Sequence, residues 1–328
     1  MNHRISFHTI GTPNVLRWEE APLPEPRPGE AKVRHRAIGV NYIDAYQRSG
    51  AYPVPLPAYP GFEAVGRVEA LGSDTAGLQV GQRVGYVDGG AGAYSEAKNH
   101  PASRLIPLPE TISDDEAAGL LFKGLTAHML VRRVWRPQPG AWALVHAAAG
   151  GVGLVLTRWL TSEGVRVIGL VSTDEKAALA KAEGAEATLV VHRGDSYSAL
   201  PNQVRQLTGR AGAAVVFDST GRDTFESSLD SLAPFGLLVS YGRSSGPLPT
   251  FDPAELAKRG SLALQRPSIF HHVADHAILQ SAAKEMFAAH AEGKLKAHIH
   301  RRLPLQEAAE AHALFESRAT TGALILLP

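Results

Sequence analysis

The sequence predicts an α/β protein in which a doubly wound parallel sheet is inserted into a mostly β domain. Short apolar runs alternate with amphipathic helical segments from about residue 140 to residue 265. Residues 1–110 are instead rich in proline and glycine, and the chain after residue 266 does not continue the alternation. We therefore expect one domain from residues 1–125 and 266–328 and a second from residues 126–265.

The first segment contains short β-like runs separated by turn signals. The runs cover residues 31–33, 64–71, 83–86 and 93–97, and the turn signals include Pro60-Gly61 and the glycine-rich stretch 89–92. This pattern is typical of an irregular, mostly antiparallel β unit. Ser113-Asp-Asp-Glu116 is a capping-box sequence, so we expect a helix over residues 117–131.

The second segment contains six candidate strands. They are residues 143–147, 165–171, 187–191, 213–218, 237–241 and 262–265. Helices are expected near 153–163, 174–183, 198–208, 225–233 and 253–259. Apolar strands that alternate with amphipathic helices indicate a parallel sheet covered on both faces. A long helix over 272–292, a helix over 306–317 and a strand over 323–327 are expected to return to the first domain.

Composition excludes several classes of function. The chain has 328 residues, with 33 Lys and Arg against 32 Asp and Glu, so charge gives no support for nucleic-acid or anionic-membrane binding. Its start lacks the apolar core of a signal peptide, and no apolar run approaches the roughly 20 residues of a membrane span, so we expect a cytoplasmic protein. The chain contains no cysteine, which excludes disulfides, cysteine metal ligands and thiol nucleophiles.

A glycine-rich turn, His146–Gly153, follows the apolar run Ala143–Val145 and opens a helical segment. Strand, turn and helix in this order seat a pyrophosphate, because free backbone N–H groups and the helix dipole both favour an anion. Against the pattern G-x-G-x-x-G, Ala148 replaces the first glycine. A tight turn without a ligand is the alternative, but the surrounding strand–helix units favour a dinucleotide site.

The end of the next predicted strand indicates which dinucleotide binds. A site for NAD has Asp or Glu there, about 20 residues after the glycines, to bond the ribose 2′-hydroxyl. This strand ends in Ser172 with no acid in place, and Ser172 and Lys176 can receive a 2′-phosphate instead. The sequence therefore favours NADPH. The alternative is that Ser172 and Glu175 form only a capping box and Lys176 is a solvated helix residue.

Seven dispersed motifs resemble those of one family. They are Ala37–Asp44, Arg48–Tyr52, Phe122–Thr126, His146–Gly153, Asp218–Arg222, Val239–Gly242 and Glu316–Ala319. With them the chain resembles the zinc-independent, zeta-crystallin-like quinone oxidoreductases of the medium-chain alcohol dehydrogenase superfamily. The resemblance implies a Rossmann NADP-binding domain inserted in a GroES-like catalytic domain. It also implies NADPH-dependent, metal-free reduction of quinones in an interdomain cleft. Reduction of enones, alkenals or enoyl thioesters stays open as the alternative.

Comparison with the zinc-containing relatives predicts no metal site. Asn41 stands where those enzymes usually carry a cysteine ligand, and Phe62 replaces the histidine of their Gly-His-Glu triplet. Two histidine groups, 271/272/276 and 298/300, lack a convincing third ligand. An electron-poor quinone needs no metal to polarise it, so binding and orientation are the main tasks left to the protein.

The resemblance also assigns site residues. It places Asn41, Asp44 and Tyr46 near the nicotinamide end and Tyr52 in the substrate cleft; either tyrosine can assist protonation or serve only as a packing wall. The remaining residues assigned to the cofactor are Lys123, Thr126, Ala149, Gly150, Gly151, Val152, Gly153, Ser172, Lys176, His192, Ser240, Tyr241, Gly242 and Arg318. Lys123 and Thr126 line the cofactor channel in this assignment, the glycine turn binds the pyrophosphate, and residues 172, 176 and 192 surround the 2′-phosphate.

Two positions depart from the family pattern. Relatives often have tyrosine at the position of His192 and asparagine at that of Arg243. A histidine binds a phosphate better when protonated, so we expect NADPH affinity to rise as the pH falls. Arg243 can contact ribose or phosphate, or narrow the pocket, and both interpretations stay open.

Three further hypotheses concern other parts of the chain. Gly242–Gly246 matches the G-x-S-x-G pattern of serine hydrolases, but Pro247 and Pro249 disfavour the helix that a nucleophile elbow needs. A nucleotide-binding structural or RNA-associated protein is a non-enzymatic alternative, although the neutral charge argues against RNA binding as a main role. Residues 262–265 form a predicted edge strand, and pairing of two such edges would make a homodimer, as is common in the relatives.

Overall fold

The computed structural model describes residues 1–87 and 90–328, so Gly89 of the predicted turn at 89–92 lies outside the described residues. The chain divides into two compact units. The first comprises Met1–Leu125 and His272–Pro328, and the second comprises Thr126–His271.

The N-terminal part of the first unit is mostly antiparallel β structure, as predicted. Its elements are β1 (His3–Ser6), β2 (Arg17–Glu20), β3 (Glu30–Gly39), α1 (Tyr42–Arg48), β4 (Glu63–Leu71), β5 (Arg83–Val87), β6 (Ala97–Pro101), β7 (Ile106–Pro107) and α2 (Asp114–Met129). Strand β3 pairs with β4 and β6, and β4 pairs with β5, all antiparallel. Residues of both strands, among them Val33, Ile38 and Val68, pack into one core.

One predicted strand of this unit is wrong. Residues 93–96 form bends and one isolated bridge, from Ser95 to Arg4 of β1, and the strand β6 begins only at Ala97. The Tyr94 N–H donates to the Pro60 carbonyl and the Ser95 N–H to the Ala93 carbonyl, so these amides do not join the ladder with β3. The polar sequence of β6 has no apolar alternation by which it could be recognised.

The predicted helix after Ser113 is confirmed as α2. The Glu116 N–H donates to the Ser113 hydroxyl at 3.2 Å, and the Ser113 N–H donates to the Glu116 carboxylate at 3.3 Å, which is the expected capping box. A short π-helical segment, Leu130–Val134, follows. In the part of the chain that the structure describes, no helix is long and apolar enough to cross a membrane.

The second unit is a six-stranded parallel sheet with intervening helices. Its elements are β8 (Trp142–His146), α3 (Gly151–Ser162), β9 (Arg166–Val171), α4 (Asp174–Ala182), β10 (Ala187–Val190), α5 (Leu200–Leu207), β11 (Ala213–Asp218), α6 (Phe225–Asp230), β12 (Leu232–Ser240), α7 (Ala254–Lys258), β13 (Ala263–Gln265) and α8 (Ile269–His272). The strand order is β10-β9-β8-β11-β12-β13, which is the doubly wound topology. Leu144, Ile168, Val216 and Leu238 from four strands are fully buried in its core.

The C-terminal tail completes the first unit. It contains α9 (His276–Ala291), β14 (Ile299–Pro304), α10 (Ala308–Glu316) and β15 (Ala323–Leu327), and β15 pairs antiparallel with β3. The predicted long helix over 272–292 is confirmed as α9, but it begins four residues later than expected. Asp275 has an extended backbone and its carboxylate accepts the Ile278 N–H at 2.9 Å, so it caps a new helix.

Candidate active site

The predicted cofactor segments of the second unit follow the carboxyl ends of its parallel strands. The glycine turn follows β8, Ser172 follows β9, His192 lies two residues beyond β10, and Tyr241 and Gly242 follow β12. Carboxyl ends of parallel strands meet at one edge of the sheet. Ligands of such sheets bind at the point where the strand order reverses, here between β8 and β11.

The glycine turn leaves a helix N-terminus open to an anion. Ala147 has a positive φ of 49°, and the Gly150 N–H donates to its carbonyl at 2.8 Å, which closes a tight turn. Gly150 is the N-cap of α3, and no side chain there accepts a hydrogen bond from the helix. The first N–H groups of α3 therefore remain available to a pyrophosphate, and the turn fits a dinucleotide.

The alanine that replaces the first glycine of the pattern has a specific complement. Ala148 is fully buried, and a Cβ added to Gly169 of β9 would lie 2.9 Å from the Ala148 Cβ. Gly169 thus makes room for the methyl group. At the last glycine of the pattern, Gly153, a Cβ would lie 2.2 Å from the Ala147 carbonyl oxygen, so only glycine fits there.

The residues predicted to bind a 2′-phosphate converge at the end of β9. The Nδ1 atom of His192 lies 3.2 Å from the Ser172 carbonyl oxygen. Lys176 lies in the first turn of α4, and burial lowers the pKa of its ammonium below the usual value. The capping-box alternative for Ser172 is wrong, because Thr173 is the N-cap of α4 and its side chain accepts the Lys176 N–H.

Two functional candidates of the second unit were missed by the sequence analysis as individual residues. Asp218, at the end of β11, accepts hydrogen bonds from the N–H groups of Thr220 and Gly221 and so shapes the loop after that strand. Arg266 donates from Nη1 to the carbonyl oxygens of Ser240 and Gly242 at 3.0 and 2.6 Å. The family motif Asp218–Arg222 was the only sequence pattern that pointed to Asp218, and no pattern in the sequence pointed to Arg266.

The serine-hydrolase alternative lacks its structural context. The next helix after Ser244 begins only at Ala254, so no helix follows the G-x-S-x-G turn. A nucleophile elbow requires a helix immediately after the serine. The Ser244 N–H donates instead to the Ser219 carbonyl at 3.2 Å, which ties the turn to the loop after β11.

In the first unit, Asn41 and Lys123 meet at a carboxylate. Oε1 of the fully buried Glu63 accepts from the Asn41 amide at 2.8 Å and from the Lys123 ammonium at 3.0 Å. The Lys123 ammonium also donates to the Asn41 amide oxygen at 3.0 Å. Asn41 was predicted for the nicotinamide end and Lys123 for the cofactor channel, whereas Glu63 was not predicted.

Asp44 belongs to an adjoining buried network. Its carboxylate accepts from the N–H groups of Asn41 and Gly61 at 2.8 and 3.0 Å and from the Tyr94 hydroxyl at 3.2 Å. The same hydroxyl lies 3.1 Å from Nε2 of His312 on α10. Burial raises the pKa of Asp44 to about 7 and lowers that of His312 to about 3. Asp44 therefore helps to fix the start of α1, where Asn41 lies.

The buried neutral histidine makes a prediction about acid stability. His312 has a pKa of about 3 when folded, so the unfolded chain binds one more proton below about pH 6.5 and stability falls with falling pH. We expect His312→Gln to lower the slope of unfolding free energy against pH by up to about 1.4 kcal/mol per unit between about pH 4.5 and 6. Asp44 contributes the opposite slope, so variant and parent are compared by urea unfolding at each pH. The exposed His271→Gln is the control, and an unchanged slope in His312→Gln would contradict the prediction.

Tyr46 and Tyr52 lie together at the surface of the first unit. Their rings are 5.2 Å apart in an edge arrangement, and the Tyr52 N–H donates to the Tyr46 carbonyl at 2.9 Å. Tyr42 stacks with Tyr46 and packs against Phe315 of α10. Arg318 follows α10 and has a positive φ of 61°. Both tyrosines of the pair are half-buried.

The donor set of a zinc site is missing at the corresponding positions. Phe62 is buried where the zinc-containing relatives carry histidine, and the Asn41 amide is engaged by Glu63 and Lys123. Across residues 1–87 and 90–328, no group of three or more His, Asp or Glu side chains could hold a metal ion. The residues present here therefore do not fit a resident zinc ion.

Comparison with known proteins places the chain in a family. Residues 27–110 match the family model described as alcohol dehydrogenase GroES-like domain, and residues 185–326 match the one described as zinc-binding dehydrogenase. The quinone oxidoreductase of Pseudomonas aeruginosa is 43% identical, and the match covers 100% of both chains. The 2-haloacrylate reductase of a Burkholderia species is 38% identical, with 98% of each chain covered.

Among solved structures, that of Escherichia coli quinone oxidoreductase complexed with NADPH is similar over its whole length. It is 40% identical with a TM-score of 0.95, and the match covers 99% of this chain and 100% of that chain. The parallel sheet, the glycine turn and the GroES-like domain all agree with this likeness. The chain belongs to the quinone oxidoreductase family of the medium-chain dehydrogenase/reductase superfamily.

Proposed function

We propose that this protein is an NADPH-dependent quinone reductase that works without a metal ion. The end of β9 carries the proposal, because Ser172, Lys176 and His192 lie there and no acidic side chain takes the position that binds a ribose 2′-hydroxyl in NAD enzymes. The full-length similarity to quinone oxidoreductases supports the choice of acceptor.

In this function the chain binds, orients and shields the reactants. Ala149 and the first N–H groups of α3, including those of Gly151 and Val152, would hold the pyrophosphate. The turn formed by Ser240, Tyr241 and Gly242 would line the ribose. Asn41, Lys123, Thr126 and Arg318 would complete the nicotinamide half. NADPH supplies the hydride when bound. Quinones are already electrophilic, so orientation is the main contribution of the protein.

The tyrosine pair would form the wall for the acceptor ring. Tyr46 and Tyr52 are half-buried, and their rings are in edge contact. Each ring would pack against a planar acceptor, and each carries a phenolic hydroxyl. A proton donor for the reduced product is a second role for either hydroxyl. Replacement of each by phenylalanine separates the roles, because only proton donation depends on the hydroxyl.

A direct assay tests the function. Purified protein is mixed with NADPH and, in parallel, with benzoquinones, a naphthoquinone, an alkenal, crotonyl-CoA and 2-chloroacrylate, and NADPH oxidation is followed. We expect the highest kcat/KM with a quinone. The similarity to a 2-haloacrylate reductase favours an electron-poor alkene as the second candidate, and a faster reaction with the alkenal or the acrylate would establish it. NADPH binding without any reduction would contradict both.

We also propose a homodimer and a cytoplasmic location. Strand β13 is the edge of the parallel sheet, and its residues Ala263 and Gln265 are exposed. Pairing of two such edges would join two sheets and protect both edges. Light scattering tests the assembly, and the mass of a single chain would contradict it.

The contact of His192 with Ser172 sharpens the expected pH dependence of NADPH binding. When Nδ1–H donates to the Ser172 carbonyl, a neutral ring has only an acceptor at Nε2, and protonation turns Nε2 into a donor for phosphate. We expect the Kd for NADPH to fall several-fold between about pH 8 and about pH 6, and His192→Ala to remove most of this change. Fluorescence titration measures it. NADH is the matched ligand, and an equal pH dependence with NADH would reject the assignment.

A further inference from the structure

Glu63 occupies a central place among the residues assigned to the nicotinamide half. It is the third residue of the Gly61-Phe62-Glu63 triplet, in which Phe62 replaces the histidine of the zinc-containing relatives. Its side chain is fully buried, and both carboxylate oxygens accept hydrogen bonds. Oε1 receives the Asn41 amide and the Lys123 ammonium, and Oε2 receives the Phe122 N–H at 2.8 Å. One carboxylate therefore joins β4, the start of α1 and the middle of α2.

This arrangement fixes the orientation of both partners. The Lys123 ammonium directs its donors to Glu63, to the Asn41 amide oxygen and, at 3.5 Å, to the Val40 carbonyl. The Asn41 amide nitrogen donates to Glu63, so its oxygen must face the ammonium. Neither side chain can rotate without breaking a hydrogen bond in a buried place. The carboxylate thus determines where the cation and the amide lie.

The backbone around Glu63 is shaped to admit the carboxylate. A Cβ added to Gly39, the last residue of β3, would lie 1.9 Å from Oε1 and 2.4 Å from the Cδ atom of Glu63. The carboxylate therefore fills the space of an absent side chain. Any other residue at position 39 would displace the Glu63 side chain from Lys123 and Asn41.

Stability alone is a weak reason for this ion pair. The Lys123 and Glu63 side chains are only 5% and 0% exposed, so both ions are removed from water. Desolvation of a buried pair offsets most of its attraction, and apolar residues of similar volume are often equally stable. A fixed buried cation beside Asn41 is, in contrast, of direct use at a site where negative charge passes to an electron-poor acceptor.

We propose that Glu63 is a positioning residue for the reduction, which holds the Lys123 ammonium and the Asn41 amide in fixed orientations at the nicotinamide end of the site. The proposal rests on the proposed function for the identity of the reaction. Glu63 itself acts only through the two side chains that it holds.

A double-mutant cycle tests the proposal. Glu63→Gln, Lys123→Met and the double variant are compared with the parent protein in quinone reduction and in the fluorescence spectrum of bound NADPH. We expect Glu63→Gln to lower kcat/KM roughly 10- to 100-fold in the parent, because displaced groups at a reacting centre have effects of this size. In the Lys123→Met background the same change should have little further effect. The double variant should regain thermal stability, since it leaves no unpaired buried charge, but not activity.

Controls separate the outcomes. Glu69→Gln removes an exposed carboxylate of the same strand, paired with Arg34, and should leave activity unchanged. Glu63→Asp keeps the charge and should retain an intermediate activity; with the double variant it decides the question if Glu63→Gln does not fold. Equal losses from Glu63→Gln in both backgrounds, or full activity in a folded Glu63 variant, would overturn the proposal.

Failure of the proposed function gives a different result. If the parent protein reduces no quinone, the activity assay is lost, but the fluorescence spectrum of bound NADPH can still be compared between the variants. The spectrum of bound NADPH needs no acceptor and reports the surroundings of the nicotinamide. We expect Glu63→Gln to change the emission of bound NADPH and Glu69→Gln to leave it as in the parent. An unchanged spectrum in Glu63→Gln would overturn the positioning role.

Discussion

Replacing Gly153 by alanine is expected to raise the Kd for NADPH roughly 100-fold, because contacts of two backbone donors with a charged group are lost at about 1.5 kcal/mol or more each. The new Cβ would lie 2.2 Å from the Ala147 carbonyl oxygen and 2.8 Å from the Ala148 Cα atom. These are backbone atoms, which cannot move aside as a flexible side chain can. The N-terminus of α3 must therefore shift away from the turn.

The same substitution should lower the free energy of unfolding by about 1 to 3 kcal/mol, as overpacking of a filled site does. Fluorescence titration with NADPH measures the affinity, and thermal unfolding by circular dichroism measures the stability. Ser162→Ala, in the last turn of the same helix, is the matched control and should leave the affinity unchanged. A Kd within threefold of the parent value in Gly153→Ala would show that the turn does not hold the pyrophosphate.

The fold of the second unit was predictable because its strands are buried on both faces. Each strand reads as a short apolar run, and each run lies between helices of amphipathic pattern, so β8 to β13 were all found. The first unit gave weaker signals. Strands β1, β2 and β6 are short and polar, and β6 pairs with residues of β3 that lie 63 to 71 positions earlier in the chain. A local pattern does not contain such pairing.

In the candidate site too, local features were predictable and long-range contacts were not. Positions at strand ends, such as Ser172 and Lys176, follow from local sequence once the strands are known. The role of Glu63 does not, because its partners Asn41 and Lys123 lie 22 and 60 residues away. Arg266 likewise reaches Ser240 across 26 residues. Such contacts are products of the tertiary structure.

Replacing Lys176 by methionine is expected to lower kcat/KM for NADPH roughly 10- to 100-fold and to leave that for NADH nearly unchanged, because one hydrogen bond to a charged group contributes about 1.5 to 3 kcal/mol. Methionine keeps the aliphatic part of the side chain and removes the charge. The Lys176 ammonium is partly buried, and burial lowers its pKa because desolvation disfavours the charged form. A phosphate beside the ammonium would stabilise that charged form.

The ratio of the two kcat/KM values is the measurement, since only the 2′-phosphate distinguishes the two cofactors. Lys181→Met changes an exposed lysine in the last turn of the same helix and should leave the ratio as in the parent. A parallel loss with NADPH and NADH would mean that Lys176 supports the helix rather than the phosphate. A selective loss with NADPH would instead place the 2′-phosphate at the end of β9, where the Thr173 side chain accepts the Lys176 N–H and caps the helix.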